Sequence, residues 1–335
     1  MTFKLNKLAA VVGVALGVLA VPSAFAAAEG MAQAVRQLSN FGLFNASTGI
    51  LLNAQTDFTN FLALDDASVS ATLNGVTAFN IQSAIPPSPP ANLAQVCVGA
   101  AGPTGCGPYL ADDSDYTHHT AVTGTFSRAD HKLSGVLVGG IPLNGTGPGF
   151  EATPAASNLL AETQIQGAGK GQSTTASGTA GTVIFTVANN GLQVDVKFNA
   201  DDYLRAYVNP ALIARASTSL SFVLTNADTG VTVFAWTPDG AVGGITGGTE
   251  TLDPCSLNRG LGADAISNGP LTASCTGSFA ARTGALTAGV RYQLTLSETV
   301  TSNVTVVPEP ASLALVGAAL AGLGIARRRR TAKSV

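Results

Sequence analysis

Charge is scarce in this sequence. Of 335 residues only 17 are Lys or Arg and 20 are Asp or Glu, 11% of the chain, against roughly 25% in an ordinary soluble protein. Aromatics stop at 6% although hydrophobic residues reach 46%, so small side chains inflate the apolar count. Helix-rich cytosolic enzymes, with their charged outer faces, are not built from such a stock. The many β-branched residues exclude the opposite extreme, a charge-rich disordered chain. Three His leave little material for His-based catalysis or a His-rich metal site. Motifs are missing as well: there is no Gly-x-Ser-x-Gly elbow, no H-E-x-x-H and no Walker-type loop. No base, nucleophile and orienting group can be assembled from the polar residues. The expectation is a protein that is not an enzyme and uses no cofactor or metal.

The charge that exists is unevenly placed. Lys4, Lys7, Arg327, Arg328, Arg329, Arg330 and Lys333 sit at the two ends, which leaves ten basic against nineteen acidic residues over 27–306. An acidic body with scattered Lys and Arg offers no footprint for nucleic acid. At the N-terminus, Lys4 and Lys7 precede an apolar run from Leu8 to Val21, and Ala24-Phe25-Ala26 forms an A-x-A site. That is the layout of a secretory signal, cleaved after Ala26 so that the mature chain starts near Ala27. The run is short for a membrane span, and Pro22 follows it. Residues 1–26 are therefore expected to engage Sec-type export machinery.

At the other end, Val307, Pro308, Glu309 and Pro310 precede an apolar segment, Leu313 to Ala326, built on Leu313, Leu315, Val316, Leu320, Leu323 and Ile325. Pro308 and Pro310 keep the chain around Glu309 extended and out of any helix or sheet ladder. The apolar segment gives about 21 Å of helix, short for a bilayer core of about 30 Å. Arg327, Arg328, Arg329 and Arg330 act as a cytoplasmic stop signal by the positive-inside rule, so the body faces outward.

Pro-Glu-Pro, a short apolar helix and a terminal Arg cluster, in that order over residues 307–335, resemble the PEP-CTERM sorting signal of Gram-negative bacteria. The resemblance implies an exported precursor held briefly in the inner membrane. It further implies recognition by the exosortase, a membrane-embedded cysteine transpeptidase. The destination it implies is the cell surface or extracellular matrix, in biofilm or floc material rich in extracellular polysaccharide. It carries no catalytic residues. The functional expectation is a structural or adhesive surface protein. The alternative is a glycan-binding module, and a secreted hydrolase comes third.

Between the signals, 27–306 reads as strands. Val69 to Val76 and on to Ile81 alternates with period two. Thr182–Ala188 and Leu192–Phe198 flank Asn189-Asn190-Gly191, a hairpin signal. Ser219–Thr225 and Val231–Trp236 flank a longer loop, Asn226 to Gly230. Val122–Phe126 and Leu133–Val138 flank a polar turn around Asp130, and Val290 to Val306 forms a last strand pair or bent strand. Asp201 to Ala216 is the candidate for a short helix or corner, and Gly167 to Gly181 for a mobile loop. These features predict an all-β, antiparallel β-sandwich or jelly-roll-like body. The Pro-rich segment Ile85 to Pro90 marks a subdivision near 85–120 or a loop within one domain.

Cys97, Cys106, Cys255 and Cys275 are an even set in an exported chain and read as two disulfides. Three pairings are open; local bridging, Cys97–Cys106 and Cys255–Cys275, is favoured because both segments are loop-like. The cluster Asp112, Asp113, Asp115, His118 and His119 lacks the Gly and distal Glu of a calcium loop and reads as a solvated loop. Trp236, the one tryptophan, reads as a core or rim residue rather than a sugar platform.

Overall fold

The computed structural model describes residues 29–84, 92–100, 116, 124–139, 154–166, 172–209, 212–251, 253–264, 266–267, 269–306 and 320. These form fifteen strands: β1 (Glu29–Asn45), β2 (Phe58–Leu73), β3 (Val76–Ala84), β4 (Asn92–Ala100), β5 (Thr125–Ser134), β6 (Ala155–Gln166), β7 (Gln172–Val187), β8 (Val194–Val208), β9 (Leu212–Asn226), β10 (Thr232–Trp236), β11 (Ile245–Thr246), β12 (Gly248–Glu250), β13 (Arg259–Ala263), β14 (Leu271–Thr283) and β15 (Arg291–Val306). Two antiparallel sheets face each other. The first runs β12-β14-β8-β1-β6-β5-β4; the second runs β11-β10-β9-β15-β7-β2-β3, with β13 added on β9. The fold is thus the expected antiparallel sandwich. Strands on both sides of the Pro-rich segment enter the same two sheets.

Alternation dictates the interior. On β8, β9 and β15 the even-numbered residues point inward and on β14 the odd-numbered ones, whereas β1 and β6 are buried on both faces over most of their length and a bulge in β1 switches its inward positions from Leu38 to Phe41 and Leu43. Large side chains gather at one end of the sandwich. Trp236 stacks on Phe222 at 5.2 Å, and Phe198 stacks on Phe279 at 5.2 Å and meets Phe41 edge-on. The other end holds no aromatic ring and is filled by alanines (Ala32, Ala34, Ala206, Ala214 and Ala216 among them) interleaved with aliphatic residues such as Leu159, Leu204, Leu212, Val300 and Val304.

A polar layer separates these two cores. Arg36 follows Ala34 and precedes Leu38 on the inward face of β1, Asp202 lies between Ala200 and Leu204 on β8, and Glu298 between Leu296 and Val300 on β15; all three are fully buried. Arg36 donates from Nε and Nη2 to the two carboxylate oxygens of Asp202 at 2.9 and 2.7 Å. Its Nη1 donates to the Ser219 carbonyl, and Nη2 also donates to the Leu257 carbonyl. Ser157 donates to Glu298 Oε2 at 2.8 Å, while Glu298 Oε1 lies 3.9 Å from Arg36 Nε. Burial pushes the Glu298 carboxyl up to about 7, against the pull of Arg36.

The disulfide Cys255–Cys275 clamps this layer from one side. Cys275 is buried on β14 opposite Asp202 of β8. Cys255 belongs to the segment that presents the Leu257 carbonyl to Arg36 and to Thr218 Oγ1. Asn258 then behaves as a substitute strand residue. Its side chain accepts from the Leu220 N–H and donates to the Leu220 and Pro238 carbonyls. Cys97 is half-buried on β4; Cys106 lies outside the described residues.

Five local expectations are corrected. Asp201 to Ala216 is mostly strand: it supplies the end of β8 and the start of β9, and the chain passes from the first sheet to the second between Val208 and Leu212, where Pro210 and Ala211 lie outside the described residues. The misleading residue is Asp202, a charge on an inward position that is neutralised by Arg36. Asn189-Asn190-Gly191 does not close a hairpin. β7 pairs with β2 and β15, β8 with β1 and β14, so the turn carries the chain from one sheet to the other. Asp130 is buried in the middle of β5, not in a turn, because β4 and β6 flank that strand on both edges and Arg128 beside it is paired with Glu162 at 2.6 Å. Within the Gly-rich loop, Gln172 to Gly181 lies in β7, paired on both sides; a ladder uses backbone groups and does not need large side chains. Val69 to Ile81 is interrupted by Asn74 and Gly75, both at positive φ, in a two-residue hairpin turn. Val290 to Val306 resolves into one strand, Arg291–Val306, and the Asn226 to Gly230 hairpin forms as expected between β9 and β10.

The buried carboxyl sets a pH test. The folded value of Glu298 stands above its ordinary 4.5, so its burial costs nothing below about pH 4.5, where the acid is protonated folded or unfolded, and stability falls as pH rises from there through about 7. Glu298→Gln removes that loss. Urea unfolding should find the variant more stable than wild type at pH 8 by about 3 kcal/mol, with the gap closing toward pH 4. An equal gap at both pH values would assign the titration elsewhere.

The disulfide sets a second one. Alkylation without reductant should label neither Cys255 nor Cys275. Replacing both with Ala should lower the unfolding free energy by about 2–4 kcal/mol. Unchanged stability would mean that the Leu257 segment holds its place without the bridge.

Candidate functional site

The sorting residues begin where the second sheet ends. β15 is paired along its whole length, with β7 on one side and β9 on the other, and its last pair is Val306 opposite Leu212. Val307, Pro308, Glu309 and Pro310 follow directly. They lie outside the described residues, as do Leu313, Leu315, Val316, Leu323, Ile325 and Arg327 to Arg330, and as do Ala24, Ala26 and Ala27 of the export signal. Leu320 is described and is exposed. Among the described residues, no helix is long and apolar enough to cross a membrane.

Both ends of the body meet at one end of the sandwich. β1 starts at Glu29, whose carbonyl accepts from the Asn209 N–H at 2.6 Å. At the next residue the sheets touch: a Cβ on Gly30 would sit 2.8 Å from Leu212 Cδ1 and 2.8 Å from Val304 Cγ1. β1 is an inner strand of the first sheet and β15 of the second. Glu29 and Val306, the first and last residues of the described body, therefore lie at the same end of the sandwich, next to the core cluster that holds Ala32, Leu212 and Val304. A peptide bond inside β15 is committed to two ladders and closed to an enzyme that needs extended, accessible backbone. Val306 is the last described residue of that ladder.

The other candidate positions do not assemble into a site. Trp236 is fully buried between Phe222 and Phe198, so it offers no face to a sugar. Of the Asp/His cluster only Tyr116 is described, packed against Val35 and Leu160 on the outer face of the first sheet; Asp112, Asp113, Asp115, His118 and His119 lie outside the described residues. Among the described residues, no three His, Cys, Asp or Glu side chains are placed to hold a metal ion. His131 is buried on β5, and that burial lowers its imidazole to about 4, leaving it neutral at ordinary pH. Burial, reinforced by Glu250, pushes Asp253 up to about 6. Sequence reading missed the Arg36–Asp202–Glu298 layer; its signal is a charge at an inward position in three separate alternating stretches.

The model of one family, the PEP-CTERM protein-sorting motif, matches residues 306–330. No curated protein and no solved structure matches the chain. The matched segment starts on Val306, the last paired residue of β15, and runs through the four arginines. A motif of this kind, at the C-terminus and directly after the final described strand, implies an exported protein with a membrane-anchored precursor that is targeted to an exosortase: this chain carries the PEP-CTERM protein-sorting motif at residues 306–330.

Proposed function

We propose that the mature sandwich is a non-catalytic surface or extracellular-matrix protein, structural or adhesive, released from its membrane anchor by exosortase cleavage just beyond Val306. The observation that supports this reading is the junction itself. The last ladder pair is Val306 with Leu212, and the Pro-Glu-Pro segment follows with one residue between. Cutting there removes none of the described strands. The fully buried charges support the non-catalytic part of the reading. Arg36 and Asp202 are spent on each other and on backbone carbonyls in the interior.

The outer face of the second sheet supports a neutral polysaccharide as the matrix partner. Its centre is a field of hydroxyls, with Ser219 against Thr299 and Ser217 against Thr301, each pair at 2.6 Å. Uncharged donors and acceptors on a flat sheet suit a sugar chain better than they suit a charged polymer.

In a host with an exosortase, intact mass of the mature protein should place its C-terminus after Val306 and before Arg327. Replacing Pro308, Glu309 and Pro310 with Ala should leave the chain at full length and membrane-bound in the same host. Matrix-located protein that still carries Arg327 to Val335 would defeat the proposal, and so would normal release of the triple variant.

A further inference from the structure

The second sheet ends in two different edges. On one side the outermost strand, β11, has two residues; on the other, β3 has nine. Proteins blunt an exposed edge with shortness, charge, Pro or a bulge. β3 has none of these. Its sequence VTAFNIQSA carries no charge and no Pro, and its ladder with β2 runs unbroken from Leu73↔Val76 to Asp65↔Ala84. A two-residue turn makes Leu73 and Val76 a hydrogen-bonded pair. By the alternation of an antiparallel ladder, Thr77, Phe79, Ile81 and Ser83 then direct N–H and C=O away from β2, to the edge that has no strand partner among the described residues. On the same strand Val76, Phe79 and Ile81 are 62%, 70% and 64% exposed.

We propose that β3 is a homotypic docking edge: two copies of this protein pair antiparallel through β3 and join their second sheets into one. The register follows from the strand. Overlap of all nine residues puts Asn80 opposite Asn80 of the second copy, on a two-fold axis, so Phe79 of each copy faces Ile81 of the other. The two most exposed apolar side chains of the strand thereby cover each other on the outward face. The four edge-directed residues of each copy complete one another's ladder, and no charge opposes a like charge. Such an interface is isologous and closes at two copies. A sugar chain at this edge would leave the regular row of backbone donors and acceptors poorly matched, whereas a second β3 supplies their complement at the right spacing. The contact buries on the order of 800 Å² in total, below the roughly 1,200–2,000 Å² of stable interfaces and in the range of weak, transient ones. The dimer is therefore reversible and fills at high local concentration.

The test is a charge swap across the two-fold, made in the exported protein as the host releases it and followed by sedimentation velocity over a concentration series. Wild type should shift to twice the monomer mass as concentration rises. Phe79→Lys with Ile81→Lys places Lys against Lys twice and should stay monomeric. Phe79→Lys with Ile81→Glu places Lys against Glu twice and should restore the dimer. Both pairs project into solvent, so melting temperatures should match wild type. If either variant melts early, Asn80→Cys replaces the swap: its two copies meet on the axis and must give a disulfide-linked pair on oxidation. A wild type that stays monomeric overturns the proposal. So does a Lys/Lys variant that still dimerises, a Lys/Glu variant that fails where wild type succeeds, or an Asn80→Cys protein that does not cross-link.

Discussion

Burying Arg36 obliges four separate segments to converge on it. Asp202 on β8 must offer both carboxylate oxygens, β9 must present the Ser219 carbonyl, the stretch before β13 must present the Leu257 carbonyl, and Glu298 on β15 must sit within reach. A guanidinium taken out of water and left short of partners costs several kcal/mol. The arrangement therefore acts as a register lock. A slip of β8 by two residues against β1 would keep every side chain on its proper face, as a sandwich of Ala, Val and Leu would tolerate. It would also set Arg36 against an aliphatic residue, Ala200 or Leu204 in place of Asp202. The apolar contacts supply most of the drive for burial; the ion pair selects one alignment among several that would satisfy them.

The same layer explains why the interior has two characters. On one side rings of Phe41, Phe198, Phe222, Trp236 and Phe279 hold the sheets apart; on the other, Ala and Val let them close to the point where Gly30 touches Val304. The disulfide is placed at the boundary between them, and the segment it fixes carries the carbonyl that Arg36 requires.

Most of the architecture was legible where alternation was clean. The stretches around Thr182, Leu192, Ser219 and Val290 all became strands, and Asn226 to Gly230 closed the hairpin that its spacing suggested. Reading failed where a polar residue stood on a buried face. Asp201 to Ala216 was read as a short helix or corner and Asp130 as a turn, because a single sequence does not show that Arg36 neutralises Asp202 from a strand far away in the chain, or that β4 and β6 flank Asp130 on both edges. Asn189-Asn190-Gly191 failed differently. Its turn chemistry was sound, with Gly191 at φ 80, but a tight turn fixes only a reversal and does not say whether the next strand joins the same sheet. The sorting signal was legible for the opposite reason. Its information is linear, a motif, a span and a charge cluster in order, with no tertiary partner needed to interpret it.

The position of Val306 also has a mechanical reading. The chain leaves the body from an inner strand held by β7 and β9 along its length, so tension on the C-terminal tether acts along β15. Drawing that strand out would require all of its lateral hydrogen bonds to yield together, in shear. A tether attached to an edge strand and pulled sideways would instead break one bond at a time. While the precursor is still anchored, flow or crowding that tugs on the loops at the far end, such as Asn45 to Thr48 or Asn226 to Gly230, loads the strongest direction the sandwich possesses.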